Sequence, residues 1–293
     1  MGGKSVEGRS RARMMASVPL RIGKIRYLNC LPFYFGLAER LREEGIEASF
    51  FESHPAAINR AMQDGTVDAA PVSSLEYLQH QDDYFLISDL GIGARIFARS
   101  VLLISKKTIE QLDHAVIALS RESLSSSGLL KILLRQRYGL TNTYDSTEQD
   151  PEAMLKKYPA ALLIGDEALF CQPKEMIYKY DLAALWQEWT GKPFVFAVWA
   201  ARRDFAEQES QRALRFGAIL KETLSKNLSD PEALLKQAVG IAPADKKFCQ
   251  LLGYLVNLQY ALDPEMKEGL MRYFELAHRE GLAPAPKPLR TLS

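Results

Sequence analysis

Histidine and cysteine are scarce in this chain, at four and three of 293 residues. Cys30, Cys171 and Cys249 stand far apart, with no CxxC and no mixed Cys/His cluster. That spacing argues against a metal site or a disulfide framework and fits a reducing compartment. His54, His80, His114 and His278 form no HExxH and no Ser/His/Asp pattern, so each reads as a surface or capping residue. Excess charge of one sign is also missing. With 37 Lys+Arg against 36 Asp+Glu, there is no basic surplus to grip a nucleic-acid backbone. No apolar run approaches the roughly 18 residues of a membrane helix. Residues 1–17 are basic but lead into no apolar stretch of signal-peptide length. They read as a disordered basic extension, or as residues ahead of a start at Met14 or Met15. The expectation is a soluble, cytoplasmic protein with neither nucleic acid nor membrane as partner.

What the sequence does contain is strands alternating with helices. Apolar residues make up 47% of the chain, ordinary for a globular protein, and the length predicts about two domains. Ile22 and Ile25 mark a first strand, and Phe33, Leu37 and Leu41 share a face of a helix over 33–44. A strand over 47–52, a helix over 55–64, a buried strand over 67–74 and a helix over 75–80 follow. Strands separated by such helices imply a parallel sheet with right-handed crossovers. Residues 100–105 and 193–200 are apolar runs that read as strands buried on both faces. Between them the alternation restarts: strands over 115–119, 160–164 and 176–180, and helices over 123–139, 150–157 and around Trp186 and Trp189. The chain therefore leaves one sheet, builds another and returns. This gives one domain from 18–100 plus 200–293, and a second over 101–199 that includes the crossover strands. One large sheet with helical insertions fits the same pattern less economically.

Two serine clusters open helices. Ser73-Ser74 follows a buried strand, and Ser125-Ser126-Ser127-Gly128 leads the corresponding helix of the other half. Serine caps free N–H groups, and a helix start also attracts anions. Capping accounts for either cluster alone. As a facing pair they describe a cleft for a small organic acid, with one carboxylate per domain. Tyr27, Asn29 and Ser100 offer hydrogen bonds without strong acidity or basicity. Asp166 ends a buried strand, where it either faces the cleft or caps the next helix. Glu76, in a first helical turn, needs no role beyond the helix dipole. Such a site works by orientation and fixed dipoles more than by a tuned acid or base.

Ile22-Gly23 with Tyr27-Leu28-Asn29 and Pro32, then Gly65-x-x-Asp68 with Pro71-Val72-Ser73-Ser74-x-Glu76-Tyr77, resembles the chorismate dehydratases of the futalosine route to menaquinone. So do Ser100-Val101-Leu102-Leu103, Ala161-Leu162-Leu163-Ile164-Gly165-Asp166 and Thr190-Gly191-x-Pro193-Phe194-Val195-Phe196-Ala197-x-Trp199. The likeness runs from about residue 20 to 280. Ser125 stands where the family often has threonine, which keeps the hydroxyl. The resemblance implies an α/β, two-domain type II periplasmic-binding-protein-like fold, with two mixed sheets flanked by helices and two crossover strands. It implies loss of water from chorismate without cofactor or metal. On this reading Asn29 and Ser100 face the reacting edge. Tyr27, Ser73, Ser74, Ser125, Ser126 and Asp166 bind the substrate. Two alternatives stay open. One is the sister enzyme that makes a dihydroxynaphthoate from cyclic dehypoxanthine futalosine, although its Ser-Pro-Cys-Pro-Asn-Asp type opening is replaced here by Tyr27-Leu28-Asn29-Cys30-Leu31-Pro32. The other is a non-catalytic solute-binding protein for a small carboxylate.

Overall fold

The computed structural model describes residues 18–292, so the expectation for residues 1–17 lies outside the described residues. Among the described residues, eleven strands form two mixed sheets. β1 (Leu20–Ile25), β2 (Ala48–Ser53), β3 (Ala69–Ser73) and β4 (Tyr84–Ala94) begin the first sheet. β5 (Val101–Ser105), β6 (Val116–Ser120), β7 (Thr143–Thr147), β8 (Ala160–Ile164) and β9 (Tyr178–Asp181) make the second. β10 (Phe194–Arg202) and β11 (Leu258–Ala261) then return to the first. The strand orders are β11-β4-β10-β3-β1-β2 and β7-β6-β8-β5-β9.

β1 runs parallel to β2 and β3, and β6 parallel to β7 and β8, as helical connections require. The strands at the changes of sheet run the other way. β5 is antiparallel to β8 and β9, and β10 is antiparallel to β3 and β4. β10 fills the position between β3 and β4 that the helix Ser74–Gln79 steps over. It arrives from the second sheet and meets both neighbours head-on, so the parallel pattern expected for this half stops at β3. Pairing runs from Phe194 opposite Ala94 to Arg202 opposite Tyr84. Residues 194–199, expected with the second domain, therefore belong by their hydrogen bonds to the first sheet. The chain crosses between sheets at 95–100 and at 191–193, side by side.

β5 and β8 are buried at every residue, as unbroken apolar runs dictate for strands covered on both faces. Trp186, Phe194 and Tyr273 pack edge to face beside the second crossing, with ring centroids 5.4 and 4.8 Å apart. The helix expected over 33–44 is two, Leu31–Tyr34 and Leu37–Glu43, because Phe35 is extended and Gly36 left-handed at φ +77°. Phe33, Leu37 and Leu41 are nevertheless all buried.

Candidate functional site

Each expected polar residue sits where an element ends. β1 stops at Ile25, and Tyr27 then leads the single turn Leu28–Cys30, which carries Asn29. Pro32 follows in the first turn of the next helix, where its missing N–H costs nothing. Ser73 ends β3 and caps the helix Ser74–Gln79, accepting the Glu76 N–H at 3.2 Å. Ser100 stands at the head of β5, after Arg99, whose φ of +62° is uncommon for a side-chain-bearing residue. The Asp181 carboxylate fixes that bend, accepting N–H groups from Ala98 at 3.2 Å and Arg99 at 2.6 Å. It also caps its own helix through Ala183 at 3.0 Å and Ala184 at 3.3 Å. Gly165 follows β8 at φ +66°, and a Cβ there would lie 2.9 Å from the Tyr27 ring. Only glycine serves at that position.

These ends converge on a cleft lined from both sheets. Its space, counted out to the open mouth, is about 660 Å³, a size suited to a small organic molecule. Tyr27, Asn29, Ser73, Ser100, Ser125 and Ser126 line it, among apolar groups such as Ile92, Val101 and Phe196. Ser74 and Asp166 do not. Ser74 is buried and donates to Val195 O at 2.8 Å, with Ser125 Oγ 3.0 Å away. Its only proton is thereby used, so Ser125 donates to Ser74 and accepts the Leu75 N–H at 3.0 Å. These two hydroxyls tie the two helix starts together and have no proton left for a ligand. Ser73 accepts from both Asn59 at 3.3 Å and Glu76, which leaves its proton for the cleft. Asp166 instead accepts the Leu28 N–H at 3.2 Å and anchors the turn that bears Asn29. Burial pushes its carboxyl up to about 6.

Two site residues escaped the sequence reading. Glu122 lines the cleft and accepts from the Tyr27 hydroxyl, across the two sheets. Burial, reinforced by Glu122, holds the Tyr27 phenol well above its ordinary range. Tyr254, fully buried on the helix Lys246–Asn257, donates to Ser100 Oγ at 2.8 Å. The Arg-Glu-Ser run before the second serine cluster was the available signal for Glu122. Nothing local marks Tyr254, an aromatic on an amphipathic helix.

Among the described residues lining the cleft, Glu122 is the one carboxylate and no cation is present. An anion here meets hydroxyls and the first N–H groups of the helix Ser125–Ile132, which have no partner within the helix. The adjoining groove, which shares Ser123 and Leu124 with the cleft, carries Arg60, Arg121 and Lys131. Among the described residues no group of His, Cys, Asp and Glu side chains is arranged to hold a metal ion, and no helix is long and apolar enough to cross a membrane.

The chain is 32% identical over 274 residues to a chorismate dehydratase of Thermus thermophilus, covering 88% of this chain and 94% of that protein. It is 30% identical over 177 residues to a chorismate dehydratase of Campylobacter jejuni, covering 60% of this chain and 64% of the other. Among solved structures it resembles protein AF1704 of Archaeoglobus fulgidus, with TM-score 0.70 and 18% identity over 91% of this chain and 99% of that one. The periplasmic aliphatic sulphonate binding protein SsuA of Escherichia coli gives TM-score 0.61 and 17% identity, over 92% and 94% of the two chains. These structural likenesses establish the binding-protein-like fold. A family profile described as menaquinone biosynthesis matches residues 20–279, a span that contains both sheets and every lining residue of the cleft. The chain belongs to that menaquinone-biosynthesis family.

Proposed function

We propose that this protein is a hydro-lyase that removes water from chorismate, giving 3-[(1-carboxyvinyl)oxy]benzoate for menaquinone synthesis. The observation that carries the reading is the match to a dehydratase of this substrate over nearly the whole chain, joined to a cleft of neutral donors sized for a small acid. The reaction asks little of a tuned side chain. The C3–H bond breaks and its electron pair enters the ring. The C4–O bond breaks with its own pair, and the oxygen leaves as water with the proton from C3. The ring becomes aromatic, which supplies the driving force. What the protein contributes is one ring conformer, held dry, with the hydroxyl directed.

In this proposal Asn29 and Ser100 face the C4 hydroxyl. Ser73, Ser126 and the helix N–H groups hold carboxylates, while Ser74, Ser125 and Asp166 shape the site from beneath. The C3 proton passes to the substrate's own enolpyruvyl carboxylate, since Glu122 is already engaged by Tyr27. The two sheets, as the cores of two domains, close over the substrate, and the protein works in the cytoplasm. Purified protein and chorismate, incubated without metal or nucleotide and followed by chromatography with mass detection, test the reading. A product lighter by one water with an aromatic spectrum is expected. Unchanged chorismate held tightly would make the protein a carrier, and neither binding nor turnover would move it to another step. An analogue whose side-chain carboxylate is replaced by an amide is expected to bind and persist; its normal dehydration would sink the assignment of the base.

A further inference from the structure

The helix Lys246–Asn257 meets a residue of the cleft wall, Ser100, through Tyr254. Tyr254 Oη donates to Ser100 Oγ at 2.8 Å, a contact that spans 154 residues of chain. Asn29 stands on the same cleft wall as Ser100. A phenol has a single proton. Tyr254 gives that proton to Ser100. Asn29 Oδ1 is buried and takes no hydrogen bond from the protein, on a residue of the cleft wall. Ser100 already receives a proton from Tyr254, and its own has only a long contact with Ala98 O at 3.4 Å. We infer that Tyr254 is a positioning residue that orients Ser100 as a donor toward a substrate atom, opposite the free acceptor Asn29 Oδ1. An alcohol fits this pair. Asn29 Oδ1 accepts the hydroxyl proton, and Ser100 donates to the hydroxyl oxygen that must leave. Burial keeps the phenol protonated, since it raises the Tyr254 pKa well above the ordinary value.

The inference rests on the proposed dehydration, and its test separates the two. Chorismate turnover is measured for the parent, Tyr254→Phe, Ser100→Ala and the double variant. Tyr254→Phe is expected to lower kcat roughly 10- to 30-fold and leave KM within about twofold, because it loosens orientation but removes no binding group. Ser100→Ala is expected to lower kcat about 100-fold, as loss of a donor at a developing charge does. In the Ser100→Ala background the Tyr254→Phe penalty shrinks to within about twofold, since the group it orients is gone. Full turnover by Tyr254→Phe, or the same penalty in both backgrounds, overturns the inference, because a purely structural role would act independently of Ser100. Full turnover by Ser100→Ala overturns the assignment of Ser100 itself and with it the inference. Tyr254→Met removes the hydroxyl while an adaptable side chain fills the space, so a misfolded phenylalanine variant leaves the question decidable.

Discussion

Two junctions join the sheets at the cleft, and they are made of different chemistry. At one, Ser74, Ser125, Leu75 N–H and Val195 O share hydrogen bonds of 2.8–3.0 Å, fully buried, with nothing that titrates. At the other, Tyr27 lies on Gly165 and donates to Glu122, while Asp166 accepts the Leu28 N–H. That junction is half-buried and contains two carboxylates. Burial makes a neutral contact permanent and independent of pH. Partial exposure makes an ionisable one adjustable.

Gly165→Ala is the severest way to break the second junction. An L-residue at φ +66° costs about 1–2 kcal/mol, and its Cβ would displace the Tyr27 ring. A fall of about 2–4 kcal/mol in urea unfolding, with loss of turnover, is expected. Wild-type stability for this variant would mean that Tyr27 is free to move. Ser74→Ala attacks the first junction and removes both the donor to Val195 O and the acceptor of the Ser125 hydroxyl, for about 1–3 kcal/mol. Combined with Ser125→Ala, the loss should fall short of the sum of the single losses. Strict additivity would show two unrelated serines.

Asp166→Asn separates the junctions by pH. The folded carboxyl titrates near 6, above its ordinary 3.8, so between about pH 4 and 6 the folded state holds more protons than the unfolded one. Its contribution to stability therefore falls as pH rises through that window. Asparagine, uncharged and still an acceptor, should be more stable than the parent by about 1 kcal/mol at pH 7, after allowance for solvent screening. The difference should vanish below about pH 4 in parallel denaturation curves. A gap that does not change with pH would contradict the assignment. Smallest of all, Tyr27→Phe should change stability by under about 0.5 kcal/mol, as a partly exposed bond allows, and raise KM a few-fold. No change in KM would detach the Tyr27–Glu122 contact from substrate binding.

Much of this was legible in the sequence because it was written in apolar runs and helix starts. β5, β8 and β10 follow unbroken hydrophobic stretches, and Ser73 and Ser125 stand at the starts of their helices. β4 was missed because Ser88 and Asp89, both at positive φ, interrupt its pattern with a kink. β7 was missed because an edge strand of Thr143-Tyr144-Asp145-Ser146-Thr147 lacks an apolar face. The site shows the same division. A serine at a helix start is visible, but whether its proton faces the cleft or Val195 depends on a strand over a hundred residues away. Tyr254 meets Ser100 only because the chain returns to the first sheet, and no local pattern carries that information.

Among the described residues the cleft wall has no cation, while Arg60, Arg121 and Lys131 stand in the groove beside it. Attraction and recognition are thereby assigned to separate surfaces. Charge acts at a distance and fades with added salt, whereas hydroxyls and helix N–H groups act only in contact and by direction. On the proposed function, a doubly charged acid is gathered by the groove and judged by the cleft.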